Sequence, residues 1–261
     1  MNVFIDGWIL TQRNLLRLRH EPGTLLTIML MPTVFVVLFG FVFGSAIGVP
    51  GSSNYREYMM PGMFVLGTGT ALSSAMVDVA MDNARGVMDR LRSLPTNRVS
   101  VPLGQSGAEA AIGAYGLVVL MTYGLIVGWK PHNGIGKTLA AIGLLLLFRY
   151  TLAWVGTYLG LAIRSASTAA ALAPLTLPLT MVSNAFVPTD GMPTWLRAVC
   201  EWNPLSALAT AIRELFGNPG APGPGAAWPM THPVAATLMW IALLLVIFVP
   251  LSARRFARAG L

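Results

Sequence analysis

Apolar residues come in six long runs along this chain, separated by short polar stretches. The runs are Thr24–Gly44, Met59–Met81, Val101–Gly128, Thr138–Ile163, Ala169–Val187 and Val234–Leu251. Thr24–Gly44 alone is 21 residues without a charge. At ~1.5 Å per residue that length crosses a hydrocarbon core of ~30 Å. The pattern predicts an all-α integral membrane protein with six transmembrane helices, spanning the whole chain as a single domain. Pro32 is expected to kink the first span, and Pro174 with Pro178 to bend the fifth. The second span is rich in small residues (Gly67, Gly69, Ala71, Ser73, Ser74), which let helix backbones approach closely in lipid or leave room for a cavity.

The polar stretches add three further elements. Residues 2–20 place Phe4, Trp8, Leu15 and Leu18 on one helical face, with Asp6, Arg13, Arg17 and His20 elsewhere, the pattern of a helix lying in the membrane interface. Asp78–Ser100, the longest charged passage, sets Val87, Met88, Leu91 and Leu94 at helical spacing. This predicts a short amphipathic helix that ends at Pro95. It suits contact with a soluble partner, and a solvated topology anchor is the plain alternative. Pro188–Pro233 is too long for a turn and holds two helical patterns, around Trp195–Trp202 and Leu205–Phe216, followed by the helix-breaking GNPGAPGPGAAWP. The pair is expected to dip partway into the membrane, or else to lie on its surface as a hairpin.

Composition fixes the class and charge fixes the orientation. The chain is 55% hydrophobic and 10% charged, with mean hydropathy +0.66, against roughly 25% charged in soluble domains. The net charge of +7 is spread between the apolar runs, which argues against a nucleic-acid partner. With both termini on one side, that side collects eleven of the 17 basic residues and the other side five. By the positive-inside rule both termini and the 78–100 stretch are cytoplasmic, which makes the expected location the cell membrane. No secretory signal peptide is evident at the N-terminus. A lone Cys200 and scattered His20, His132 and His232 offer neither an internal disulfide nor a metal cluster.

Catalytic motifs are wanting. Pro131–Thr138 (PHNGIGKT) has proline where a phosphate-binding loop needs its first glycine, and Leu103–Gly107 (LGQSG) opens a span. No nucleophile elbow or HExxH occurs. The chain is therefore expected to be no enzyme and to bind no cofactor itself. Arg149 is the one strongly charged residue deep in a span, which marks a functional or pairing site. Glu109 on the preceding span is the available partner. Arg149 lies about eleven residues from the outer end of its span and Glu109 near the inner end of its own, so the count argues against a direct bridge and for snorkelling outward. Asp78 and Asp82 are expected at the cytoplasmic mouth of the second span, solvated or paired with Arg85.

Three stretches carry a resemblance. Ala84–Gly104 (ARGVMDRLRSLPTNRVSVPLG) resembles the loop after the second span of ABC-2 type export permeases. Asn203–Phe216 (NPLSALATAIRELF) is similar to the element before their last span, and Phe186–Leu196 (FVPTDGMPTWL) to the segment after their fifth. Among subgroups the chain looks most like the daunorubicin/doxorubicin-resistance permeases of actinobacteria. The resemblance implies a half-transporter: a homodimer, or a pair with a close homologue, docked on two copies of an ABC ATPase that bind ATP and Mg. Arg85, Asp89, Arg90, Leu91, Arg92, Leu94 and Pro95 would be the ATPase-coupling element. The acid that the family carries two residues before the loop glycine is replaced here, where Ala84-Arg85 precede Gly86. Asn203, Pro204 and Arg213 would belong to an external lid. Motion of the coupling helix would reorient the second and fifth spans and move a lipophilic drug or antibiotic outward. Candidate lining residues are Met63, Phe64, Met76, Arg149, Met181 and Phe186, for each of which core packing is the plainer role. The alternatives are an ABC-2 exporter of a lipid or lipid-linked glycan, and an ion-coupled secondary transporter. The latter would need mid-span acids and an internal repeat, neither of which is evident.

Overall fold

The structure is a computed structural model that describes residues 22–42, 55–87, 100–163 and 165–258. Every regular element among the described residues is helical. Helix α1 (Pro22–Val37) contains Pro32 and runs into a π-helical turn, Leu38–Val42. Four long helices follow the expected runs: α2 (Tyr55–Ala84), α3 (Ser100–Val127), α4 (Gly134–Ala162) and α10 (Pro233–Arg258). All four are long and apolar enough to cross a membrane, whereas Pro32–Val42 and Ala166–Met181 are shorter apolar helices. The expected N-terminal interfacial helix (2–20) and the coupling residues from Asp89 to Pro95 lie outside the described residues.

The bundle is built around α4, which packs on α2, α10, α3 and α8 (Pro204–Phe216). Its approach to α2 is close because Gly156 and Gly160, one turn apart, present no side chain. A Cβ at Gly156 would stand 2.3 Å from the Leu72 carbonyl oxygen, and one at Gly160 2.6 Å from that of Met76. This is small-residue packing in the GxxxG manner, on the helix opposite the one whose small residues stood out in the sequence. At one end of the bundle Phe64, Trp129 and Phe216 meet edge to face, with centroids 5.0–5.9 Å apart. Trp129 Nε1 donates to Asn218 Oδ1 there at 2.8 Å. At the other end Phe256, Val79 and Leu161 form a small buried cluster. It gives the ARRFAR segment a packed face and carries α10 on to Arg258, where a basic tail was expected.

The fifth apolar run departs from expectation. It is no single helix to Val187 but α5 (Ala166–Leu172), a 3₁₀ turn at Ala173–Leu175 and α6 (Thr176–Met181). Prolines 174 and 178 account for the break, since each lacks an N–H and disfavours helix in the residue before it. The stop at Met181 is fixed by side chains that take over the freed carbonyls. Asn203 Nδ2 donates to Leu179 O (3.0 Å) and Val182 O (2.6 Å). Beyond α6 the chain turns through Ser183–Val187 and leads to α7 (Thr194–Glu201), α8 and the single turn α9 (Trp228–Thr231).

Candidate functional site

Three features bear on function: a buried charge network, a cavity beside it, and a tie between α8 and the neighbouring helix ends. The network departs from the expectation for Arg149. Arg149 neither snorkels nor stands alone: its Nη2 is 2.9 Å from Glu109 Oε2, and both side chains are buried. Its Nε donates to Glu109 O (2.8 Å), and its Nη1 to Gly67 O (2.7 Å) and Thr70 Oγ1 (3.3 Å). Ser74 Oγ donates to the same Glu109 oxygen at 2.9 Å. The bridge forms because α3 and α4 are antiparallel and must be measured from their shared end. Glu109 is nine residues from the start of α3 and Arg149 thirteen from the end of α4. The axial offset is four residues, ~6 Å, within reach of an arginine side chain. Gly113 makes the seat: a Cβ there would fall 1.9 Å from Arg149 Cδ and 2.2 Å from its Nε. One guanidinium thus fastens α2, α3 and α4 together in the middle of the apolar bundle. Isolated charges are costly at that depth, so this full neutralisation is what lets Arg149 reside there.

Beside the network lies a cavity of about 270 Å³, walled by Pro32 of α1, Phe64 and Thr68 of α2, Leu117 and Leu120 of α3 and Leu145 of α4. Arg149, Gly113 and the exposed Thr70 line it as well. Of the candidate lining residues, Phe64 and Arg149 share this cavity, and the rest do not join them. Met63 sits in the main core. Met76 packs against Ala80 and Ala169, joining α2 to α5. Phe186 stacks on Phe39 at 4.8 Å, and Met181 is 39% exposed on α6.

The tie at the far end explains the NP…R pattern residue by residue. Asn203 caps α8, its Oδ1 accepting from Leu205 N at 2.9 Å, and Pro204 takes the first helical position, where a missing N–H costs nothing. Gly217 closes the helix in the left-handed conformation at φ 74°. Arg213 is buried with its guanidinium 3.7 Å from the Tyr58 ring centroid. It donates to Tyr58 O (3.2 Å), Asn184 O (3.0 Å) and Ala185 O (2.6 Å). Tyr58 Oη reaches Asn184 O (2.8 Å), and Asn184 Nδ2 reaches Thr210 Oγ1 (2.7 Å). These contacts tie helix α8, the end of α2 and the 183–187 turn together. Nearby, Glu201 is buried and accepts from Arg197 Nε (2.7 Å), Thr189 Oγ1 (3.3 Å) and Ala227 N (2.7 Å). Burial and, less strongly, the Glu201 carboxylate push the adjacent Cys200 thiol up from its ordinary range.

Of the coupling residues, Arg85 is described: it lies in the turn that ends α2, closed by hydrogen bonds from Arg85 N to Met81 O and from Gly86 N to Asn83 O. Gly86, at φ +70°, takes the chain out of the helix, so Arg85 closes the second span instead of starting a separate helix. Asp82, expected to be solvated or paired with Arg85, is buried.

Comparison with known proteins places this architecture. A model of the ABC-2 type transporter family matches residues 6–216, and the chain belongs to that family. It is 28% identical over 252 residues (94% of this chain, 83% of the relative) to the daunorubicin resistance ABC transporter permease protein DrrB1 of Streptomyces coeruleorubidus. It is 25% identical over 242 residues (86% and 80%) to the doxorubicin resistance ABC transporter permease protein DrrB of Mycobacterium tuberculosis. A protein of Cyanophora paradoxa provisionally named as a transport permease, ycf38, is 25% identical over 221 residues (81% and 74%). The chain is thus a membrane-embedded transport permease and not itself a catalyst.

Proposed function

We propose that this chain is the membrane-spanning half of an ATP-driven exporter of lipophilic compounds. Two copies, or one copy and a close homologue, form the pathway in the cell membrane. Two copies of a separate ATPase dock beneath them and bind ATP with Mg. The observation that carries this reading is the family match across most of the chain, joined by two relatives named for resistance to daunorubicin or doxorubicin. The basic residues favour both termini in the cytoplasm, and the six apolar runs favour six spans, with α1 and the α5–α6 pair as the two shorter crossings. Arg85 and the following Asp89, Arg90, Leu91, Arg92, Leu94 and Pro95 receive the ATPase. The α8 tie, with Asn203, Pro204 and Arg213, closes the external side.

The test is co-purification of the chain with a candidate ATPase, then ATPase rates for wild type and for the double variant Arg90→Glu/Leu91→Glu. A stable complex whose assembly or stimulated hydrolysis is lost in the variant is the expected result. A chain that binds no ATPase, yet moves a lipophilic compound across vesicles without ATP, overturns the reading.

A further inference from the structure

The cavity beside Arg149 has a chemistry that goes further than export of lipophilic compounds in general. It lies wholly within one copy of the chain, between α1, α2, α3 and α4. Its walls are mostly carbon, from residues such as Phe64, Leu117, Leu120 and Leu145, with Thr68 and Thr70 among them, and Arg149 is the charged residue among the described residues that line it. A guanidinium carries five N–H groups. Among the described residues Arg149 makes four hydrogen bonds, to Glu109 O, Glu109 Oε2, Gly67 O and Thr70 Oγ1. That leaves one N–H, on Nη2, with no acceptor among the described residues, on a side chain that lines the cavity.

Charge, depth and volume then narrow the occupant. Glu109 already neutralises Arg149. A second anion would bring its full desolvation cost with no free countercharge, and a cation would face the guanidinium. The occupant is therefore uncharged. Arg149 stands near the middle of the 29-residue α4, ~20 Å from either end. Ester groups of bilayer lipids sit at the edge of the ~30 Å hydrocarbon core, too far away to meet it. The occupant must carry its own acceptor to mid-depth. A volume of about 270 Å³ exceeds the ~150 Å³ of a hole that takes benzene and falls just below the ~300–1,000 Å³ of drug-sized sites. Two small rings fit.

We propose that this cavity binds an uncharged hydrophobic molecule of about two rings, entering from the bilayer beside Thr70, whose carbonyl or ether oxygen accepts the spare N–H of Arg149. Binding requires one copy of the chain and neither ATP nor a partner. It rests on the export reading only for the step that follows binding.

Benzophenone, an uncharged two-ring ketone, serves as the probe. The full chain in lipid nanodiscs, without ATPase, is irradiated with it. The excited carbonyl takes a hydrogen atom from a C–H bond, and the two carbon radicals join as a C–C bond bearing a tertiary alcohol. Peptide mapping is expected to place adducts on the segments holding Leu117, Leu120 and Leu145. Labelling of the exposed Leu243 and Val246 on α10 serves as a lipid-facing control. Phenyl benzoate, which keeps an acceptor, should compete about tenfold better than diphenylmethane, which has none, as expected for one hydrogen bond to a charged group. Leu117→Trp and Leu120→Phe should lower the cavity adducts while the α10 adducts stay. Adducts confined to α10 overturn the site, and equal competition by the two compounds overturns the role of Arg149. Because no ATPase is present, neither result bears on whether the chain couples to one. Conversely, a chain that fails to bind ATPase yet labels in the cavity leaves this proposal standing.

Discussion

Replacing either member of the Arg149–Glu109 pair exposes how much of the bundle depends on it. Arg149→Met removes four hydrogen bonds and leaves the Glu109 carboxylate, deep in the apolar bundle, with Ser74 Oγ as its side-chain donor. Glu109→Met leaves a guanidinium at mid-depth with only neutral acceptors. Breaking a buried pair from one side costs about 3–5 kcal/mol, and a lone arginine at a span centre costs at least about 2.5–3.5 kcal/mol. For a chain of this size about 2–4 °C of Tm corresponds to each kcal/mol, so each single variant should melt roughly 6–20 °C below wild type. The double variant removes both charges together. The groups they touched keep partners of their own, since Thr70 Oγ1 donates to Gly67 O and Ser74 Oγ to Thr70 O. It should therefore lie within about 1 kcal/mol of wild type, as apolar replacements of buried pairs often do. Thermal unfolding of all four proteins in one detergent gives the coupling energy, expected at about 3 kcal/mol or more. A coupling below about 0.5 kcal/mol, the range of independent sites, refutes the claim that the pair acts as a unit.

Gly113→Ala forces a methyl group into the space of Arg149 Cδ and Nε, so it should cost about 1–3 kcal/mol and shrink the coupling in the cycle above. Asn203→Ala removes the α8 cap and the two bonds to the end of α6. A loss of about 1–2 kcal/mol is expected, seen as a Tm drop of about 2–8 °C. Cys200 should resist maleimide near neutral pH in the folded protein and react readily in denaturant. Its raised thiol pKa means that any native labelling accelerates as pH rises, and fast labelling near neutrality would contradict the burial described.

The helices themselves were legible because a span must be apolar along its whole length, and α2, α3, α4 and α10 begin and end within a few residues of their apolar runs, apart from the longer C-terminal reach of α10. The cap of α8 was equally plain, since Asn-Pro at its start and Gly217 at its end carry local physics. What the sequence hid was relational. The Arg149–Glu109 bridge depends on which ends of two antiparallel helices coincide, and counting from opposite ends made it look out of reach. Gly113 matters only through the arginine it admits. The halt of α6 at Met181 depends on Asn203, more than twenty residues on, and the companions of Arg213 come from two segments far from it in sequence, Tyr58 on α2 and the turn at Asn184 and Ala185. The Gly156–Gly160 spacing was visible in the sequence, and its consequence is the close seat of α4 on α2.

Helix α2 is a continuous rod of 30 residues, ~45 Å long. One end is bound through Tyr58 to α8, and the other stops at Gly86, where the segment expected to receive the ATPase begins. Gly67, Thr70 and Ser74, where the charge network grips it, straddle its midpoint. If α2 tilts as a rigid rod, the grip of Arg149 near its midpoint is the natural pivot. A tilt of about 5° there carries each end ~2 Å in opposite directions, for arms of ~22 Å. A push of that size at Gly86 would reach Tyr58 reversed in sense and undiminished in length.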